Sequence, residues 1–286
     1  MAERVLIFGA NGQLGTALAR VLAPRSAVTG LNRTAGDIAD PAFAAAKVRE
    51  VAPDLVVNAT AYNAVERAGE EAELAYRSNA LGPYYLARAA RAARAQFIHV
   101  STDYIFDGSK DTYAESDAPR PINVYGASKL AGETLVSIAH PGALIIRTSA
   151  LFGTGAGKKN FVERMLERAD GETVPVVADQ RTVPTYAEDL AAGIGALLDA
   201  GAAPGTYHLT NAGSAIWAEF AREIFSQARR AVTVREVSTA ESGTAIVRPR
   251  STVLVSEKLP ALGIVLPSWR DALGRYLSAR TPGSHA

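Results

Sequence analysis

A short apolar run at residues 5–8 breaks into Gly9-Ala10-Asn11-Gly12-Gln13-Leu14-Gly15, and a helix-forming segment follows at once. No other stretch constrains the fold as much. Glycines at this spacing let the backbone turn sharply and approach an anionic group, while the helix start offers unpaired N–H groups and a partial positive charge. The same spacing in an arbitrary loop means little; a strand before it and a helix after it make it a dinucleotide-binding turn, the alternative being a tight turn without a ligand. The loop from Gly9 through Asn11 and Gly12 to Gly15 is therefore read as a cradle for cofactor phosphates.

The rest of the first half keeps the same rhythm. Strand-like runs at residues 27–31, 55–58, 97–101 and 144–147 alternate with helix-period segments rich in Ala, Leu, Arg and Glu at 17–22, 43–51, 70–93 and 125–138. Such alternation implies an α/β fold with a doubly wound parallel sheet of Rossmann type, whose ligands bind beyond the carboxyl ends of the strands. Beyond residue 150 the alternation loosens, with Pro and Gly punctuation at 153–157, Pro175, Pro184, Pro204-Gly205 and Pro249 and helical patterns at 161–168, 186–198 and 217–228. The expected organisation is an NAD(P)-binding domain over residues 1–150 and a smaller substrate-binding lobe over 151–286, parts of which return to the main sheet. Residues 281–286 read as a frayed tail.

Composition narrows the partners. Thirty basic against 29 acidic residues leave a net charge of +1 in 286 residues, which supplies no broad field for nucleic acid or an anionic membrane. Cysteine is absent, so disulfides, a thiolate nucleophile and a cysteine-based zinc site are excluded. No apolar run approaches the roughly 18 residues that span a bilayer. A soluble, unprocessed, cytoplasmic protein acting on a small ligand is expected.

Catalytic chemistry is suggested by two segments. Residues 97–102, Phe97-Ile98-His99-Val100-Ser101-Thr102, read as a strand whose end delivers the hydroxyls of Ser101 and Thr102 to the ligand crevice, and Tyr125-Gly126-Ala127-Ser128-Lys129 opens a helix downstream. Positions i and i+4 share a helix face, so Tyr125 and Lys129 point the same way. Ketone reduction by hydride needs a proton donor at the developing alkoxide, and a phenol with a pKa near 10 donates poorly unless its phenolate is stabilised. An ammonium one turn away does this, and it can also reach the nicotinamide ribose. Thr102 then offers the substrate oxygen a second hydrogen bond. By itself this tyrosine–lysine spacing is weak, its plain alternative being an exposed helix start; its position behind the strand-end hydroxyls and the glycine loop gives it weight. The second strand ends Leu31-Asn32-Arg33 with no carboxylate for an adenosine ribose. Arg33 matches a 2′-phosphate, or is a solvated surface arginine; NADPH is the expected cofactor and NADH the alternative.

With these segments in place the sequence resembles the dTDP-4-dehydrorhamnose reductase family of the extended short-chain dehydrogenase/reductases, over nearly its whole length. The resemblance is carried by Gly12-Gln13-Leu14-Gly15, Asp37-Ile38, residues 57–62 with Ala64-Val65-Glu66, Ser78-Asn79-Ala80, residues 101–108, Asn123-Val124-Tyr125-Gly126 and Gly132-Glu133. It continues through Arg147-Thr148-Ser149, Asn160-Phe161, Asp179-Gln180, Pro184-Thr185, Arg248-Pro249 with Ser251, and Leu266-Pro267-Ser268-Trp269. It implies NAD(P)H-dependent reduction of the 4-keto group of a nucleotide-linked deoxysugar, dTDP-4-dehydrorhamnose first of all, by a homodimer. It implies Thr102, Tyr125 and Lys129 as catalytic residues, Asp103 and Tyr104 near the substrate, and Asn160 as a pyrophosphate contact. It also implies cofactor contacts from Gly12, Gln13, Leu14, Asp37, Ile38, Ala59, Thr60, Ala61, Tyr62 and Asn79, with Ser101 beside them.

Two departures bear on the substrate. Ala150 stands where the family commonly has a tryptophan that packs against the sugar, and Thr182 stands where it usually has glycine. A related ketosugar is thus an alternative substrate. A nucleotide-sugar dehydratase or epimerase is an alternative activity, although dehydratases typically follow the threonine with Asp-Glu and here the pair is Asp103-Tyr104. A non-catalytic dinucleotide-binding regulatory subunit is the third reading; Ala150 favours it and the intact Thr102, Tyr125 and Lys129 oppose it. His99, His140, His208 and His285 have no ligand spacing, and no protein-intrinsic metal site is expected. Trp217 and Phe220 read as core, and Arg91, Arg94, Lys158 and Lys159 as solvated charges, the two lysines standing near a possible phosphate path.

Overall fold

The computed structural model describes residues 2–155, 160–244 and 246–280. Gly157 of the punctuated stretch 153–157, the pair Lys158-Lys159, His285 and the tail 281–286 lie outside them. Six strands make one sheet, parallel throughout: β1 (Arg4–Phe8), β2 (Ala27–Leu31), β3 (Leu55–Asn58), β4 (Gln96–Thr102), β5 (Leu144–Thr148) and β6 (Gly205–His208), in the spatial order β6-β5-β4-β3-β1-β2. Phe8 is in register with Leu31 on one side and Asn58 on the other. The winding reverses between β1 and β3, which opens the ligand crevice at their carboxyl ends.

The strand sequences explain the layers. β1, β3 and β5 are near-continuous apolar runs, as strands covered on both faces must be, whereas the edge strand β2 is half exposed. One face is covered by α1 (Gln13–Leu22) and α7 (Ala187–Asp199), which pack Leu14, Leu18, Leu190 and Ile194 on Val5, Ile7, Val57 and Ile146. The other is covered by α2 (Pro41–Val51), α4 (Gly82–Ala92) and α5 (Val124–Ala139), with Val48, Leu86 and Val136 against Phe8, Phe97 and Ile145. Each such side chain contributes about 1.5–3 kcal/mol relative to exposure.

The helix predicted over residues 70–93 differs in its middle. α3 (Ala72–Tyr76) passes into a π turn over Arg77–Leu81 before α4 begins. Pro83 has no N–H to offer the carbonyl of Asn79 four residues back, and wider hydrogen bonding takes up the extra residue.

The second lobe is built around the parallel pair Thr173–Val177 and Thr233–Val237 with α6 (Phe161–Leu166), α8 (Trp217–Gln227) and α9 (Trp269–Ala279). Its core is aromatic: Phe152 stacks on Tyr186 at 5.5 Å, and Phe220 and Tyr276 close around it. Trp217 lies against Phe161 and Phe220 in the same cluster. Residues 187–208 leave this lobe to supply α7 and β6 to the main sheet. Among the described residues no helix is long and apolar enough to cross a membrane.

Candidate active site

β4 delivers Thr102 to the crevice, and a single 3-10 turn, Asp103–Ile105, follows; the Thr102 hydroxyl oxygen caps that turn by accepting the N–H of Tyr104 at 3.2 Å. α5 starts beside it because Asn123 caps its first turn, accepting the N–H of Gly126 at 2.9 Å. A Cβ at position 126 would lie 2.1 Å from the carbonyl oxygen of Tyr104, so only glycine lets the helix lie this close to the turn. The Tyr125 phenol thereby meets the Thr102 hydroxyl in a hydrogen bond, and its ring sits edge-on to Tyr104 with centroids 5.7 Å apart. Burial pushes the Tyr125 phenol above its ordinary value.

Lys129 lies one turn along α5, 2% exposed, with Nζ donating to the carbonyl of Val100 at 2.6 Å. Burial pulls its ammonium down from 10.5 to about 8, against the opposing charge of Glu133. Glu133 is itself gripped by Arg147, whose Nη2 donates at 2.8 Å and Nε at 3.1 Å. His208 Nδ1 faces the carbonyls of Tyr113 and Val255, so it carries the proton, and Nε2 is left to accept from Arg147 Nη1 at 3.3 Å.

Asp103, 3% exposed, has both oxygens engaged. Oδ1 accepts from Thr102 Oγ1 at 3.0 Å and Oδ2 from Ser149 Oγ at 2.7 Å, with a further hydroxyl from Thr252. Burial raises the Asp103 carboxyl and the three hydroxyls draw it back. Ser149 Oγ lies 2.6 Å from Thr182 Oγ1. The hydrogen of Thr102, expected to point at the substrate oxygen, is thus given to Asp103 in the free chain.

The glycine loop fits a dinucleotide. Gly9 has φ +85°, and a Cβ there would lie 2.8 Å from the carbonyl oxygen of Ala59, so the loops after β1 and β3 touch across the crevice. At Gly15 a Cβ would overlap the oxygen of Gly9 at 2.0 Å. Gly12 caps α1 with no side chain, which leaves the first-turn N–H groups for a ligand. Gln13 Oε1 and Ser101 Oγ are buried and have no hydrogen-bond partner among the described residues, as expected of atoms that face a polar ligand.

The neighbouring loops are held from beneath. Asn58 Oδ1 accepts from the N–H and hydroxyl of Thr60, which turns its Nδ2 toward His99 Nδ1 at 3.1 Å. His99 is wholly buried, and burial holds its imidazole well below the usual value. From the π turn Asn79 clasps Tyr62, accepting its N–H at 2.8 Å and donating to its carbonyl at 3.1 Å, and it also donates to Ser128 Oγ. Ala61 is exposed beside them. Asp37 accepts the N–H of Ala39 and pairs with Arg77 at 2.8 Å, while Ile38 packs under Gly82. Arg33 is exposed at the tip of β2 and makes no ion pair among the described residues.

Other predicted residues are not brought into the Tyr125 cluster. Asn160 caps α6 through Glu163 N and donates to the carbonyl of Gly153. Ala150 is half-buried in the left-handed region at φ +38°, its carbonyl accepting from Thr185 N. His140 bonds the carbonyl of Ala95, and Arg91 that of Ala139. Among the described residues no group of three or more acidic or histidine side chains is placed to hold a metal.

Sequence reasoning gave no role to Arg248, which donates to Tyr104 OH at 3.3 Å and pairs with Glu66, or to Ser149 and Thr252 around Asp103, and it took Thr182 only as a departure bearing on the substrate. Glu66, Ser149 and Arg248 stand within the matching motifs, which was the available signal. Their sequence separation hid the contacts.

The chain matches the family model of the RmlD substrate binding domain over residues 3–281. It is 41% identical over 280 residues to a Streptomyces griseus protein named dTDP-4-dehydrorhamnose reductase, covering 94% of this chain and 91% of that one. It is 37% identical to the spore coat polysaccharide biosynthesis protein SpsK of Bacillus subtilis, covering 97% and 98%. The crystal structure of dTDP-4-dehydrorhamnose reductase from Bacillus anthracis in complex with NADP superposes with a TM-score of 0.92 at 39% identity, covering 98% of this chain and all of that one. Sequence, fold and clustered side chains agree that the chain belongs to the RmlD substrate binding domain family.

Proposed function

We propose that this chain reduces the 4-keto group of dTDP-4-dehydrorhamnose to the alcohol of dTDP-rhamnose, with NADPH as the preferred cofactor and NADH as the alternative. The observation that carries this reading is the meeting of the Tyr125 phenol with Thr102 at the end of β4, one helix turn from a buried lysine and next to a glycine loop. Relatives bearing the reductase name, and one whose structure contains NADP, support it.

Bound NADPH supplies the hydride, and with it both electrons, to the carbonyl carbon. Tyr125 gives its proton to the carbonyl oxygen, and the phenolate left behind is reprotonated from solvent. At neutral pH Lys129, with its ammonium near 8, remains mostly charged and stabilises that phenolate. Thr102 keeps the Tyr125 hydroxyl beside the sugar oxygen.

Residues 1–150 are assigned to the cofactor and 151–286 mainly to the sugar. Gly9, Asn11, Gly12, Gln13 and Leu14 face the phosphates, and Arg33, Asp37 and Ile38 the adenosine end. Ala59, Thr60, Ala61, Tyr62, Asn79 and Ser101 line the remaining path. Tyr104 and Ala150 border the sugar, with Asn160 on the pyrophosphate side. A cytoplasmic homodimer completes the reading, to be checked by sedimentation.

Mixing protein, dTDP-4-dehydrorhamnose and NADPH should lower the reduced-nicotinamide absorbance, and Tyr125→Phe should slow this by about a thousandfold with NADPH affinity kept. Wild-type silence with cofactor bound would refute the named substrate. A small side chain at position 150, in place of a sugar-packing wall, makes a related ketosugar the second reading. The dehydratase alternative lacks its second carboxylate, since position 104 is a tyrosine bonded to Arg248.

A further inference from the structure

The resemblance sets Asp103 beside the sugar, yet its carboxylate is enclosed. Oδ1 is taken by Thr102 and Oδ2 by Ser149, Thr252 adds a third hydroxyl, and Ser149 in turn leans on Thr182 from the loop that pairs with Ala215–Ile216. Hydroxyl geometry then leaves one assignment. An ionised carboxylate only accepts, so Thr102 must donate its single hydrogen to Asp103. Its oxygen is left with lone pairs for the N–H of Tyr104 and for the Tyr125 phenol.

We propose that Asp103 is a positioning residue for the proton donor: braced by Ser149, Thr182 and Thr252, it fixes the Thr102 rotor so that Thr102 holds the Tyr125 hydroxyl in place. Thr182 belongs to the second lobe and stands where glycine is usual in the family, so here the brace links the sugar-side loop to Tyr125 through three side chains. The negative charge of Asp103 also favours the phenol over the phenolate, opposing Lys129, so the proton stays on Tyr125 until hydride transfer builds charge on the sugar oxygen. Direct contact with substrate is no part of this role.

The inference rests on the reductase reading for its kinetic test but not for its second one. With NADPH and dTDP-4-dehydrorhamnose, Asp103→Asn is expected to lower kcat by about tenfold to a hundredfold with KM changed by less than about threefold, since a misplaced donor slows the step without weakening binding. Thr182→Val, which keeps the shape and removes the hydroxyl, should lower kcat in the same direction by a smaller factor. A KM raised about tenfold at unchanged kcat would make Asp103 a substrate contact and overturn the proposal.

The second measurement needs no substrate. In a double-mutant cycle of Asp103→Asn and Tyr125→Phe, followed by denaturant unfolding, the two effects on the folding constant should depart from independence by about fivefold or more. Independent effects would overturn the proposal. If the wild type fails to turn over the sugar while NADPH binds, the reductase reading fails and the cycle alone decides the role of Asp103.

Discussion

Replacing Lys129 with methionine should abolish reduction and yet stabilise the fold. The ammonium is 2% exposed, and burial lowers it from 10.5 to about 8. That difference of about 2.5 units, at about 1.4 kcal/mol each, amounts to about 3 kcal/mol against keeping the side chain charged at pH 7. Methionine is of similar length and avoids this cost. The bond to the Val100 carbonyl is lost, for about 1 kcal/mol, while Glu133 keeps Arg147. The expected net gain at pH 7 is about 2 kcal/mol. The sign of the pH dependence is fixed by the direction of the shift. Between about 8 and 10.5 the unfolded chain holds a proton that the folded chain has released, so the wild type gains stability as pH rises and the variant does not share the gain. Urea unfolding of both proteins at pH 7 and near pH 9.5 should show the gap narrow to less than about 1 kcal/mol at the higher pH. A variant less stable than wild type at pH 7, or a gap indifferent to pH, would refute the reasoning.

Arg33→Ala should lower kcat/KM for NADPH by about tenfold to a hundredfold and leave NADH nearly unchanged; an equal loss for both would deny Arg33 the 2′-phosphate. Arg147→Met should destabilise by about 3–5 kcal/mol because it strands Glu133 in the interior, and adding Glu133→Gln should recover part of the loss in the same unfolding assay. A loss below about 1 kcal/mol would mean the pair is solvated in solution.

The sheet and the glycine turn were legible because their signals are local. Residues 5–8 and 55–58 are apolar runs with a glycine turn or Asn-Ala-Thr directly behind them, and helix periodicity places Tyr125 and Lys129 on one face without any knowledge of tertiary structure. The brace around Asp103 was not legible. Ser149, Thr182 and Thr252 come from three separate loops, and a hydroxyl carries no periodicity that marks its partner. Asn160 shows the opposite difficulty: an Asn before an apolar helix is both a cap and a possible ligand, and here its amide serves the helix and the carbonyl of Gly153. The break within residues 70–93 could have been inferred from Pro83, but the composition around it, rich in Ala, Glu and Arg, favours uninterrupted helix.

That break has a consequence for how the chain can vary. The π turn at Arg77–Leu81 holds one residue more than an α-helix would need over the same length. Deleting a single residue there would restore regular winding, and local propensity would welcome it. It would also rotate the preceding part of the helix by about 100° relative to α4, because each residue turns an α-helix by that much. Asn79 would swing off Tyr62, and the loop after β3 would lose its clasp. The helix is therefore intolerant of length change at the point where its own backbone is least regular.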